Sequence, residues 1–173
     1  MNVTQVPRSP FLPQSKRLLA HLLRHSETPG TQVLEVGCGE ESCLVEHLAA
    51  CWPDAVLDQI DARPEVIPIA QKRNPRGTVR QLNIADMSGV ENNSYDAIVA
   101  MSVFDQNPLA AMEPIAKELH RVLRPGGIFA YIHNEEVNAP AASASAASLN
   151  PPKCILPNDR WHPNNDFEYC VGR

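Results

Sequence analysis

Apolar residues recur along this chain at two different periods, and the switches between them mark its elements. Leu18, Leu19, Leu22 and Leu23 share one face of a helix that Ser15 caps and that runs to about His25, before the Thr28-Pro29-Gly30 turn. Val33 to Val36 is an apolar run of strand length, and Leu44, Val45, Leu48 and Ala49 then return to helical spacing. The unit repeats. Ala55 to Ile60 predicts a second strand, and Arg63 to Asn74 a helix kinked or shortened by Pro68. Thr78 to Ile84 predicts a third strand and Tyr95 to Val103 a fourth. Leu109, Met112, Ile115, Ala116, Leu119, Val122 and Leu123 line one face of a further helix, which Pro125-Gly126-Gly127 ends. Ile128 to Ile132 predicts a fifth strand.

Short apolar strands alternating with helices imply βαβ units, and right-handed crossovers wind them into an α/β fold. The expected architecture is a doubly wound, mainly parallel sheet with helices on both faces. Three regions follow: an irregular, Pro-rich segment over 1–13, a core over 14–138, and an Ala/Ser/Pro-rich linker and tail over 139–173. Lys153 to Leu156 and Phe167 to Val171 are candidate strands in that tail, which either completes the sheet or covers a pocket.

Composition narrows the function. The chain has 173 residues, 43% of them hydrophobic, and a net charge of −5, which suits one globular domain without electrostatic attraction to nucleic acid or anionic membrane. No apolar stretch approaches ~18 residues, so no membrane span is expected. The first residues lack the apolar core of a signal peptide. Cys38, Cys43, Cys51, Cys154 and Cys170 form an odd set without CxxC spacing, expected to be free thiols in a reducing, cytoplasmic location.

Ligands of such sheets bind beyond the carboxyl ends of the strands. Those ends carry Glu35 to Gly39, Asp61, Asp86, Met101 to Asp105, and His133-Asn134. The turn Gly37-Cys38-Gly39 has no lysine for a triphosphate. Glu40 and Glu41 oppose the diphosphate of a dinucleotide, unless they serve only as first-turn helix acids. S-adenosylmethionine, with its sulfonium and ammonium, suits a strand-end carboxylate at Glu35. Asp61 can accept from the two ribose hydroxyls, Asp86 can accept from the adenine amino group, and Met87 offers an apolar surface for the purine. Cys38 reads as a small filler. His133 is a candidate general base, an acceptor contact or a solvated strand-end residue, and Asp105 has the same alternatives. The remaining histidines show no metal-ligand spacing, so no metal is expected.

Together, "VLEVGCGEES", "DQIDARPEVI", "LNIADM", "NNSYDAIVAMSVF" and "ELHRVLRPGGIFAYI" resemble, in order and spacing, the core of a class I S-adenosylmethionine-dependent methyltransferase. The resemblance implies a Rossmann-like fold and a cofactor pocket lined by Glu35, Gly37, Cys38, Gly39, Asp61, Ala62, Asp86, Met87 and Met101. With no nucleic-acid-binding patch or appended recognition domain visible in the sequence, the expected methyl acceptor is a small molecule. The chain departs from the family where Glu41 replaces a common third glycine, and where Phe104-Asp105-Gln106 follows the fourth strand instead of a histidine pair. A non-catalytic methyltransferase-like domain and a nicotinamide-dependent oxidoreductase remain as alternatives.

Overall fold

The computed structural model describes residues 12–26, 30–40, 44–134 and 167–172, with the side chains of 12–15, 18, 105, 133–134 and 167–172 left out of that description. Among the described residues, four α-helices, α1 (Leu12–His25), α2 (Leu44–Cys51), α3 (Ile67–Arg73) and α4 (Met112–Val122), pack on a six-stranded sheet. Its strands are β1 (Gln32–Val36), β2 (Val56–Asp61), β3 (Val79–Gln81), β4 (Tyr95–Met101), β5 (Leu123–Asn134) and β6 (Phe167–Gly172). The order is β3-β2-β1-β4-β5-β6; the first five are parallel and β6 runs antiparallel along β5. The α/β fold expected from the periodicity is the fold observed.

Alternation along β1 sorts its side chains onto two faces. Val33 joins Leu19, Ala20 and Leu23 of α1 and Leu44 and Leu48 of α2 in one core. Leu34 and Val36 join Ile115, Leu119 and Val122 of α4 in another. β1 lies between β2 and β4, in register Glu35↔Gln59 and Glu35↔Val99. The chain leaves β1 toward β2 on one side and reaches β4 on the other, which opens a crevice at the carboxyl end of β1.

Several boundaries differ from expectation. Helix α1 begins at Leu12 rather than Ser15. Pro68 shortens α3, the second of the two expected outcomes, and does not kink it; the helix starts at Ile67 and uses Pro68 in its first turn, where the missing N–H costs nothing. Strand β3 stops at Gln81, three residues short of Ile84. Leu109 and Ala116 are exposed, so α4 buries a narrower stripe than its sequence suggests. Pro125-Gly126-Gly127 lies inside β5 rather than at the helix end. The pairing jumps there from Tyr95↔Leu123 to Ala97↔Ile128, and Gly126 takes φ +76°. Of the two candidate tail strands, 167–172 pairs with β5, while 153–156 lies outside the described residues.

Candidate functional site

The turn after β1 is held by β2. The N–H groups of Gly37 and Cys38 both donate to the Ile60 carbonyl, at 2.8 and 3.1 Å, and the N–H of Gly39 donates to Asp61 Oδ2 at 3.0 Å. Gly37 and Gly39 both sit at φ +67°, the left-handed region that glycine enters without a Cβ penalty. A Cβ at Gly37 would lie 2.5 Å from Val103 Cγ2, so the segment after β4 crosses close over this turn. The two glycines, Asp61 and Val103 therefore meet at the crevice, as the strand-end argument required.

Asp61 is 6% exposed. Besides Gly39, it accepts from the backbone N–H of Arg63 at 3.0 Å and from Arg63 Nε and Nη2 at 3.1 and 3.2 Å. Burial alone would raise its pKa; the hydrogen bonds from Arg63 and Gly39 win and hold the carboxyl below its ordinary value. Arg63 was not singled out from sequence, although an arginine two residues past a strand-end acid is a readable signal.

Glu35 departs from expectation. It shares the β1 face of Val33, under α1. Its Oε1 pairs with Lys16 Nζ at 2.7 Å and its Oε2 accepts from Gln59 Nε2 at 2.6 Å, all three side chains being buried. Lys16 therefore already balances the charge for which the sequence suggested a cationic ligand. Lys16 was also missed. Its spacing to Leu19, Ala20 and Leu23 places it on the buried stripe of α1, and that was the available signal.

Cys38 is buried, and burial together with Glu35 and Asp61 pushes its thiol up to about 12, so it is a filler rather than a nucleophile. Asp86 does not close β3. It is exposed, five residues beyond the strand, and its Oδ1 accepts from the Ser88 N–H. Its own N–H donates to the Asn83 carbonyl, so Asn83 and Asp86 share one turn and Asn83 is the polar residue nearer the strand end. Met87 is fully buried in the α4-side core and offers no face to a purine. Its N–H donates to Glu118 Oε2, and Arg121 reaches its carbonyl, so α4 pins this loop. Ala62 is exposed beside Asp61, and Met101 is partly buried at the end of β4.

After Met101, Ser102 adopts φ +50°, uncommon for a residue with a Cβ, while its N–H donates to Ile132 of β5. Residues Phe104–Gln106 then form a single 3₁₀ turn, and the Phe104 ring meets Phe129 and Tyr131 edge-on at 5.9 and 5.5 Å. The register Met101↔Ile132 puts the backbones of Asp105 and His133 at the same end of the sheet. The side chains of both candidate bases lie outside the described residues, as do Glu41, Ser42 and Cys43.

Comparison with known proteins adds to this geometry. The methyltransferase domain family matches residues 34–131, more than half of the chain. A ubiquinone biosynthesis O-methyltransferase of Xanthomonas campestris is 28% identical over 127 residues, covering 70% of this chain and 50% of that protein. A release factor glutamine methyltransferase of Bacteroides thetaiotaomicron is 27% identical over 138 residues, covering 63% and 49%. This chain thus spans about half the length of the curated relatives it matches. The crystal structure of a TehB-like SAM-dependent methyltransferase from Corynebacterium glutamicum superposes with a TM-score of 0.58 at 17% identity, covering 70% of this chain and 63% of that one.

Proposed function

The chain belongs to the methyltransferase domain family, as a class I S-adenosylmethionine-dependent domain, and from that premise we propose that it transfers the cofactor's methyl group to an oxygen of a small-molecule acceptor. Family membership sets the nicotinamide alternative aside. The observation that carries the proposal is the junction of Gly37, Gly39 and Asp61 at the carboxyl ends of β1 and β2.

That junction fits the nucleoside half of the cofactor. A carboxylate has about four acceptor positions. Gly39 and Arg63 fill all of these on Asp61, two of them from the Arg63 side chain, which is 56% exposed, so its departure frees two positions for a ribose diol and costs little. Asn83 and Asp86 offer polar atoms on the loop beyond β3 for the adenine edge. The methionine half lies along the glycine turn under Val103, with Met101 beside it.

Bound S-adenosylmethionine supplies an already activated methyl, so the protein's work is alignment of the acceptor and exclusion of water. The 102–106 segment, packed on Gly37 and on the β5 aromatics, forms one wall for that purpose. His133 and Asp105 are our candidates for taking the acceptor's proton, on the strength of their shared end of the sheet. The O-methyltransferase relative favours a hydroxyl acceptor.

A second reading is a domain that binds the cofactor without catalysis; Phe104-Asp105-Gln106 after β4, where the family carries a histidine pair, favours it. Calorimetric titration with S-adenosylmethionine and S-adenosylhomocysteine tests the pocket, with micromolar binding of both expected. Transfer of radiolabelled methyl to a panel of phenolic and aliphatic hydroxyl compounds then separates the two readings. Binding without any transfer supports the second, and no binding by a folded chain overturns both.

A further inference from the structure

A buried polar chain runs under the sheet and ends at the glycine turn. Asn74 Nδ2 donates to Leu57 O at 2.6 Å and to Gln59 Oε1 at 3.1 Å, Gln59 Nε2 donates to Glu35 Oε2, and Glu35 Oε1 pairs with Lys16. Lys16, 3% exposed, closes the chain by donating from Nζ to the carbonyl of Cys38 at 3.1 Å. Burying an ammonium and a carboxylate costs several kcal/mol of hydration each, so an ion pair here is no better for the core than apolar residues of similar volume. Stability therefore does not account for the pair, and the carbonyl it grips does.

That carbonyl belongs to the same planar peptide unit as the N–H of Gly39. One end of the unit is held by Lys16 and the other by Asp61 Oδ2. The unit joins Cys38 to Gly39, and Gly39, at φ +67° and without a Cβ, leaves one of its two flanking torsions less restricted than any other residue type would. Without the clamp it would rotate.

We propose that Lys16 is a positioning residue, which fixes the 38–39 peptide from beneath and so sets the shape of the cofactor-binding turn. Glu35 holds the ammonium in place rather than facing the ligand. Helix α1, outside the residues matched by the family, thereby becomes part of the site. This rests on the reading that the turn receives S-adenosylmethionine.

The test is the double variant Lys16→Met/Glu35→Gln in the full chain. It removes both charges, keeps an acceptor for Gln59, and avoids the unpaired buried carboxylate that Lys16→Met alone would leave and that could unfold the protein. The first readout needs no ligand. Amide hydrogen exchange of Gly39, followed by NMR, should quicken by about tenfold or more, the loss expected for a charge-assisted hydrogen bond, while the amides of β1 keep their rates. Unchanged exchange at Gly39 would overturn the clamp. The second readout is titration with S-adenosylmethionine and S-adenosylhomocysteine, with affinity for both expected to fall about tenfold. Wild-type affinity in the double variant would overturn the role in binding. A wild-type chain that binds neither compound would instead overturn the methyltransferase reading, and the exchange rates would still decide the clamp.

Discussion

The N–H of Gly39 donates to Asp61 Oδ2 at 3.0 Å, and this one bond joins the turn after β1 to the end of β2. Asp61 therefore shapes the pocket as well as lining it. Asp61→Ala should weaken binding of S-adenosylmethionine by about 1–3 kcal/mol, through lost bonds to a charged acceptor. Calorimetry reads this directly, and unchanged affinity would remove Asp61 from the site.

Gly37 has no room for a side chain on two counts, its φ of +67° and the nearness of Val103 Cγ2. Gly37→Ala should cost about 1–2 kcal/mol from the backbone alone, with a further overpacking cost. Adding Val103→Ala should recover the packing part and leave the backbone part. Thermal melts of the single and double variants separate the two, and full recovery would mean the backbone is unstrained.

Asp61 titrates below its ordinary value because Arg63 and Gly39 favour the carboxylate over the opposing effect of burial. A depressed folded pKa adds stability above the unfolded value near 3.8, and that stability disappears as pH falls through the folded one. Arg63→Ala should make the protein less sensitive to acid below about pH 4. Denaturant melts of both proteins from neutral pH downward would show the smaller loss in the variant, and parallel curves would refute the coupling.

At the alkaline end the sign reverses. The Cys38 thiol is raised by burial from 9.0 to about 12, and Tyr95 is raised, chiefly by burial and then by Asp58, from 10.0 to about 12. Unfolded chains lose these protons first, so stability should fall as pH rises from 9 toward 12. Each group contributes a slope of about 1.4 kcal/mol per pH unit within its own window. Cys38→Ser should flatten the curve between pH 9 and 10. A flat wild-type curve there would contradict the burial of the thiol.

Strand β6 pairs along β5 from Phe129↔Gly172 to Asn134↔Phe167. Deleting 139–173 should bare that edge, lower the melting temperature and promote association. Light scattering and melting of the truncated chain test this. A monomer as stable as the full chain would show that β6 adds nothing to the sheet.

Strand and helix identities were legible in the sequence because each reports burial of its own face. Val33 to Val36 and Tyr95 to Met101 are apolar apart from Glu35 and Asp96 because both faces of a parallel sheet are covered. The order of motifs carried the family, and the glycine turn with Asp61 marked the crevice. Tertiary structure alone decided where the charges point. Whether Glu35 faces a ligand or the core depends on the parity of β1 and on which helix covers that face, and Lys16 answers from a helix nineteen residues earlier in the chain. Likewise the exposure of Asp86 and the burial of Met87 depend on where β3 stops and on the grip of Glu118 and Arg121 from α4. Local pattern records whether a residue is buried, and only the packed chain records which partner it is buried against.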